Sequence, residues 1–201
     1  MGQETTEKIV EAYVRYVKGW ATIANIKCPG QLEIDLLAID PVSGQRYHIE
    51  SGVSVSGGFS KLTAESFSTD MLKQSSKQAG QRRTIGYFRD RKFSAPGIIA
   101  KLEGYGFKSG DYRRIIVTWG WTDEAKNQAD AADIELWDFR DVMLEIAKIS
   151  SARSYFTDDT LRTLQLMVKS VKERGRGENH EPLASSGEDN LDRAKVEEET
   201  Q

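Results

Sequence analysis

The sequence predicts an α/β protein: a mixed β-sheet flanked by helices on both faces. Three observations predict it. A helical opening leads into three strand-like segments separated by turn residues, which is the pattern of a meander. A later segment, YRRIIVTWGW, has a nearly continuous apolar centre, as expected of a strand covered on both faces. Helical segments lie before and after that strand, so the sheet must also contain crossover connections.

Each element has a local reason. TTEKIVEAYVRYVKG carries Ile9, Tyr13, Val14 and Val17 at helical spacing, with Thr5 or Thr6 as N-cap and Gly19 as the stop. WATIANIKC reads as a strand closed by Pro29 and Gly30. QLEIDLLAID and RYHIESGVSVS read as the second and third strands, joined by the turn PVSGQ. SFSTDMLKQSSKQA reads as one helix starting at Ser68 or Thr69 and stopping before Gly80. RRTIGYFRDRKF and PGIIAKLEGYG read as two shorter helices around a Ser-Ala-Pro break. TDEAKNQADAA has Thr122 as N-cap and acids in its first turn. IELWDF is a short strand, RDVMLEIAKI a helix, and TDDTLRTLQLMVKSVKER a last amphipathic helix capped at Thr157. No internal repeat is visible.

Composition narrows the class. Hydrophobic residues make up 38% and charged residues 29% of 201, enough to bury one core beneath a polar surface. The expected organisation is one domain over 1–175, with its core at about 5–150 and a C-terminal helix at about 157–174, then a disordered acidic tail at 176–201. No apolar run is long enough for a membrane span, and the polar start does not read as a signal peptide. MGQETT fits an N-myristoylation pattern, but no polybasic second signal follows, and the same residues make an ordinary helix approach. Cys28, the sole cysteine, has no partner for an internal disulfide, which suggests a reducing, cytoplasmic setting.

The net charge of −3 is uneven. From Gly177 onward eight acids face two bases, whereas between Lys73 and Arg114 eleven bases face three acids. A basic middle inside an acidic chain suits a polyanionic partner, and DNA is the expected one. The stretch QRRTIGYFRDRKF supplies Arg82, Arg83, Arg89, Arg91 and Lys92 as candidate phosphate contacts. Tyr87 and Phe88, interleaved with them, read as core residues before stacking residues.

The chemistry-bearing pair is Asp35 in LEIDLLAI and Glu50 in YHIESG, on neighbouring strands of one hairpin. Two carboxylates held together repel unless a cation lies between them. A hard divalent ion, Mg²⁺ or Mn²⁺, takes oxygen ligands of this kind and leaves positions for water and phosphate. Glu11, one turn inside the first helix, is a third candidate ligand, and the Ser51 carbonyl a fourth. The plain alternative is two exposed strand carboxylates. His48, two residues before Glu50, shares its face and reads as a histidine packed against a helix.

The helix with Glu11, then LEIDLLAID, a turn and YHIES resembles the PD-(D/E)xK nuclease superfamily. The resemblance is to the branch of methylation-dependent restriction endonucleases and archaeal-type Holliday junction resolvases. It covers roughly Thr5 to Ile149, including the later IIVTWGWTDEAKNQADAADIELWDFRDVML. It implies a restriction-endonuclease-like fold and a metal-dependent endonuclease, a hydrolase of DNA phosphodiesters, with Glu11, Asp35 and Glu50 at its metal. It allows a homodimer, because resolvase-like folds are often dimeric. The departure is Gly52, where the family's tripeptide has a lysine. Some members similar in this respect take the lysine from a nearby helix, and Lys73 and Lys77, four apart on one predicted helix, are the candidates, with Lys61 a third. Two other readings compete: a nuclease fold that binds nucleic acid without cutting it, supported by Gly52, and a protein-interaction or regulatory module using the helix near Leu161 and the acidic tail. GYGFKSG lacks P-loop spacing, and no serine-hydrolase constellation is present.

Overall fold

The computed structural model describes residues 4–55, 60–73, 78–152 and 155–177. Helix α1 (Thr5–Tyr16) leads into strands β1 (Ala21–Cys28), β2 (Leu32–Ile39) and β3 (Arg46–Ser51). Short helices α2 (Thr69–Leu72), α3 (Gln78–Gln81) and α4 (Ile85–Tyr87) follow. Helix α4 runs directly into a π-helical segment, Phe88–Phe93. Then come α5 (Pro96–Gly104), β4 (Tyr112–Thr118), α6 (Asp123–Ala131), β5 (Ile134–Asp138), α7 (Phe139–Ala152) and α8 (Asp159–Gly177).

The five strands form one mixed sheet in the order β1-β2-β3-β4-β5. The first three pair antiparallel, as tight connections allow, and β3, β4 and β5 pair parallel through helical crossovers. This is the predicted fold class, an α/β mixed sheet with helices on both faces. On one face α1, α7 and α8 cover Leu36, Ala38, Ile49, Ile115 and Val117. The other face carries two cores. One groups Ile34 and Leu37 with Ile98, Leu102 and Phe107. The second groups Ile116 and Ile134 with Ile85, Phe88, Phe93, Ala125 and Ala129.

Ile34 and Leu37 share a core although they are an odd number of positions apart, so the two-residue alternation of β2 breaks at Asp35. The break has a visible partner. Asn25 lies in β1 between the pairs Ala24–Leu36 and Ile26–Ile34, and its backbone is left-handed, with φ 57°. Such a kink beside a carboxylate re-aims the strand locally.

Several boundaries differ from the sequence expectation. Glu4, not Thr5 or Thr6, is the N-cap of α1, and its backbone N–H donates to Glu7 in the first turn. Strand β3 ends at Ser51 instead of continuing to Ser56, because the Gly52 carbonyl is taken by Arg83 Nη1 at 2.8 Å and Thr118 Oγ1 at 3.4 Å. Asp158 caps α8 in place of Thr157, accepting from the Leu161 N–H at 2.9 Å. The single helix expected over 68–79 is represented by α2 and α3, with 74–77 outside the described residues. Thr122 caps α6 as expected. The expected tail lies outside the described residues from 178 onward. No helix among the described residues is long and apolar enough to cross a membrane.

Candidate active site

Asp35 and Glu50 meet because the register of the β2–β3 hairpin makes them direct cross-strand neighbours, next to the pair Leu36–Ile49. Both are buried, Asp35 at 6% and Glu50 at 0% exposure. The Ser51 N–H donates to Asp35 Oδ2 at 2.8 Å, and the Asp35 N–H reaches Glu50 Oε1 at 3.4 Å. The hairpin therefore supplies a buried carboxylate pair whose approach is enforced by backbone geometry.

The compensating cation is Lys92. Its Nζ donates to Asp35 Oδ1 at 2.8 Å and to the Glu33 carbonyl at 2.9 Å, and it lies 2.5 Å from Glu50 Oε2. Burial alone would push the Lys92 ammonium down, but the two carboxylates outweigh it and hold the pKa above the ordinary lysine value. Asp35 is pushed up by burial and then by Glu50, with Lys92 opposing; Glu50 is pushed up by burial. When both acids are ionised, two acids and one base leave the cluster one positive charge short.

The glycine at 52, where the sequence resemblance leads one to expect a lysine, has a local explanation. A Cβ built on Gly52 would stand 2.6 Å from the Cζ of Phe88, a ring buried to 2%. The π-helical segment lays Phe88 across Gly52 and, one turn later, aims Lys92 at the carboxylates. Insertions of this kind often mark functional sites. An ammonium reaches the pair from this segment, and the space a side chain at 52 would need is filled by the ring.

Other candidates separate. Lys73 is exposed and paired with Asp70 at 3.2 Å, whereas the ammonium seated on the carboxylates is that of Lys92; Lys77 lies outside the described residues. Lys61 is exposed. The described segment that crosses the carboxylates is 88–93. Arg83 is spent on the Gly52 carbonyl and Arg89 on Asp90. Arg82 and Arg91 line, with Tyr87, Glu33, Lys92 and residues 30–32, a cavity of about 340 Å³ that meets the acidic pair only through the Lys92 side chain. Sequence reasoning counted Lys92 among the phosphate contacts and missed its pairing. No linear spacing marks it, because the segment winds as a π-helix and not with the regular helical period.

Glu11 accepts from Thr22 Oγ1 at 3.3 Å and pairs with Arg15 at 3.5 Å. The α1 acid that senses the site is Glu7, pushed up to about 6 by burial and then by the charge of Asp35. A raised carboxylate favours the folded state at low pH and loses that advantage as pH rises through the folded value. Glu7→Gln, which keeps an N3 acceptor for the cap, should therefore match wild type in thermal stability below about pH 4.5 and exceed it above about pH 6. Melting curves across that window check this; a constant gap would disprove the coupling.

His48 is wholly buried, its Nε2 2.6 Å from Glu50 Oε1, and its ring stands edge-on to Phe93 at 4.8 Å. Burial, then Lys92, pushes its pKa down to about 3, so the imidazole is neutral. No cluster of three or more acidic, histidine or cysteine residues that could hold a metal ion occurs among the described residues.

No family model matches this sequence, and no curated protein matches it. Among solved structures, a protein of unknown function aligns with TM-score 0.43 and 14% identity, over 86% of this chain and 96% of that one. A repair endonuclease from Pyrococcus abyssi aligns with TM-score 0.36 and 12% identity, over 69% of this chain and 48% of that one. This chain thus spans about half the length of that endonuclease. Neither similarity is close enough to bear on what this chain does.

Proposed function

We propose that the protein is a divalent-metal-dependent endonuclease that hydrolyses phosphodiester bonds of DNA. The observation that carries this reading is the buried Asp35–Glu50 pair with Lys92 between its carboxylates. A purely structural ion pair needs one acid for one base, and an extra buried carboxylate is costly. The donor set fits Mg²⁺ or Mn²⁺: two carboxylates on rigid strands, with Glu50 Oε2 buried and facing only the Lys92 ammonium. Asp35 and Glu50 would hold the ion, and the Ser51 carbonyl is placed beside them in the chain. Such an ion lowers the pKa of a water and offsets charge on a phosphoryl group.

The chain's own groups do the rest. Lys92 stays protonated and offers positive charge and hydrogen bonds where negative charge builds during in-line attack. Arg82 and Arg91, along the adjoining cavity, bind backbone phosphates and set the register of the strand. Tyr87 gives that cavity one aromatic wall.

The test is plasmid nicking with Mg²⁺ or Mn²⁺, beside branched and single-stranded substrates. Wild type should cut at least one form, and Asp35→Asn should slow cutting by about 10²–10³-fold, the size of effect expected when one electrostatic group of a site is removed. Cutting by Asp35→Asn at the wild-type rate, or intact DNA in every form and with either ion, overturns the assignment.

A further inference from the structure

We propose that His48 is a positioning residue for Glu50, holding one carboxylate oxygen so that the other is presented to a divalent cation. The inference rests on the metal-site reading above and concerns a residue that does not touch the ion.

The two oxygens of Glu50 have different partners. Oε1 receives His48 Nε2 at 2.6 Å and, more weakly, the Asp35 N–H at 3.4 Å. Oε2 is ion-paired with Lys92 Nζ at 2.5 Å, on the side where a cation would bind. A carboxylate turns freely about its last bond unless one oxygen is fixed, and ligand orientation is what outer hydrogen bonds supply. His48 is itself immobile: it is 0% exposed, edge-on to Phe93 and tilted against Tyr112 at 6.3 Å. Its Nδ1 is buried and makes no hydrogen bond. The proton therefore belongs on Nε2, where it has an acceptor, and the ring acts as a single fixed donor.

Core packing alone does not ask for this residue. The ring sits beside aromatic neighbours where a phenylalanine would bury apolar surface without stranding a nitrogen. The stranded Nδ1 is tolerated because Nε2 faces Glu50.

The test is calorimetric titration of Mn²⁺ into wild type, His48→Gln, His48→Asn and His48→Phe, with melting curves in the absence of metal. Glutamine places an N–H donor near the position of Nε2; asparagine is too short, and phenylalanine has no donor. Affinity should fall about 10–100-fold in the Asn and Phe variants and stay within about threefold of wild type in the Gln variant. A packing role would shift the melting temperatures and leave the Mn²⁺ affinity of the folded variants unchanged, and that result overturns the proposal. Imidazole ¹⁵N shifts of wild type give a reading that needs no variant: an Nε2–H tautomer is expected, and an Nδ1–H tautomer refutes the donor role. Wild type that binds no Mn²⁺ removes the metal-site reading and this inference with it, whereas tight binding by His48→Phe removes the inference alone.

Discussion

Lys92→Met should abolish metal-dependent nicking and, without metal, lower stability by about 3–5 kcal/mol, the usual consequence of leaving one side of a buried ion pair uncompensated. For a chain of this size that is a fall of roughly 10 °C in melting temperature. The stem of methionine retains most of the packing, so the loss reports charge. Asp35 and Glu50 are left buried with no cation, and burial pushes both pKa values up. With folded values raised, stability is present at low pH and disappears as pH rises through them. The variant should therefore be close to wild type near about pH 4 and much weaker near about pH 8. A divalent ion should reverse the defect. At about 100-fold excess over its dissociation constant, a ligand specific to the folded state restores about 2.7 kcal/mol. A melting temperature that rises with Mn²⁺ more in Lys92→Met than in wild type, while nicking stays absent, would separate binding from catalysis. If the variant melts like wild type, or cuts like it, Lys92 is neither the counter-charge nor the catalytic ammonium.

Placing a lysine at position 52 is expected to harm the protein. Gly52→Ala already brings a methyl to 2.6 Å from the Phe88 ring, and overpacking of a buried site costs about 1–3 kcal/mol. Gly52→Lys should cost at least as much and should not raise the nicking rate. The collision has a specific partner, so it should be relieved by making that partner smaller. Phe88→Leu alone leaves a void and destabilises. In Gly52→Ala/Phe88→Leu the two penalties should add to less than their sum by about 1 kcal/mol or more. Additive penalties in denaturant titrations would show that Phe88 is not what excludes a side chain at 52. A stable Gly52→Lys enzyme with faster cutting would show that the lysine at 92 is not a replacement for the one at 52.

Both predictions turn on the π-helical segment, and that segment divides what could be read in the chain from what could not. The meander was legible. The turn PVSGQ and the apolar strands around it settle the β2–β3 pairing, and the pairing sets Asp35 against Glu50. The buried centre of β4 and the cap at Thr122 were legible for the same reason, since each depends on neighbours in the chain. Glu7 and Glu11 show the limit of such reasoning. They lie four residues apart on one helix, and periodicity gives the face they share without saying which turn lies over Asp35.

By itself, the sequence determined the hairpin, its two inward carboxylates and the absence of a lysine beside the second, because these follow from short-range alternation and turn chemistry. Only the tertiary structure decided which cation answers them. Lys92 reaches the site through a local change of helical winding and the seating of one aromatic ring on a glycine of a distant strand, and neither has a period that a linear pattern can show.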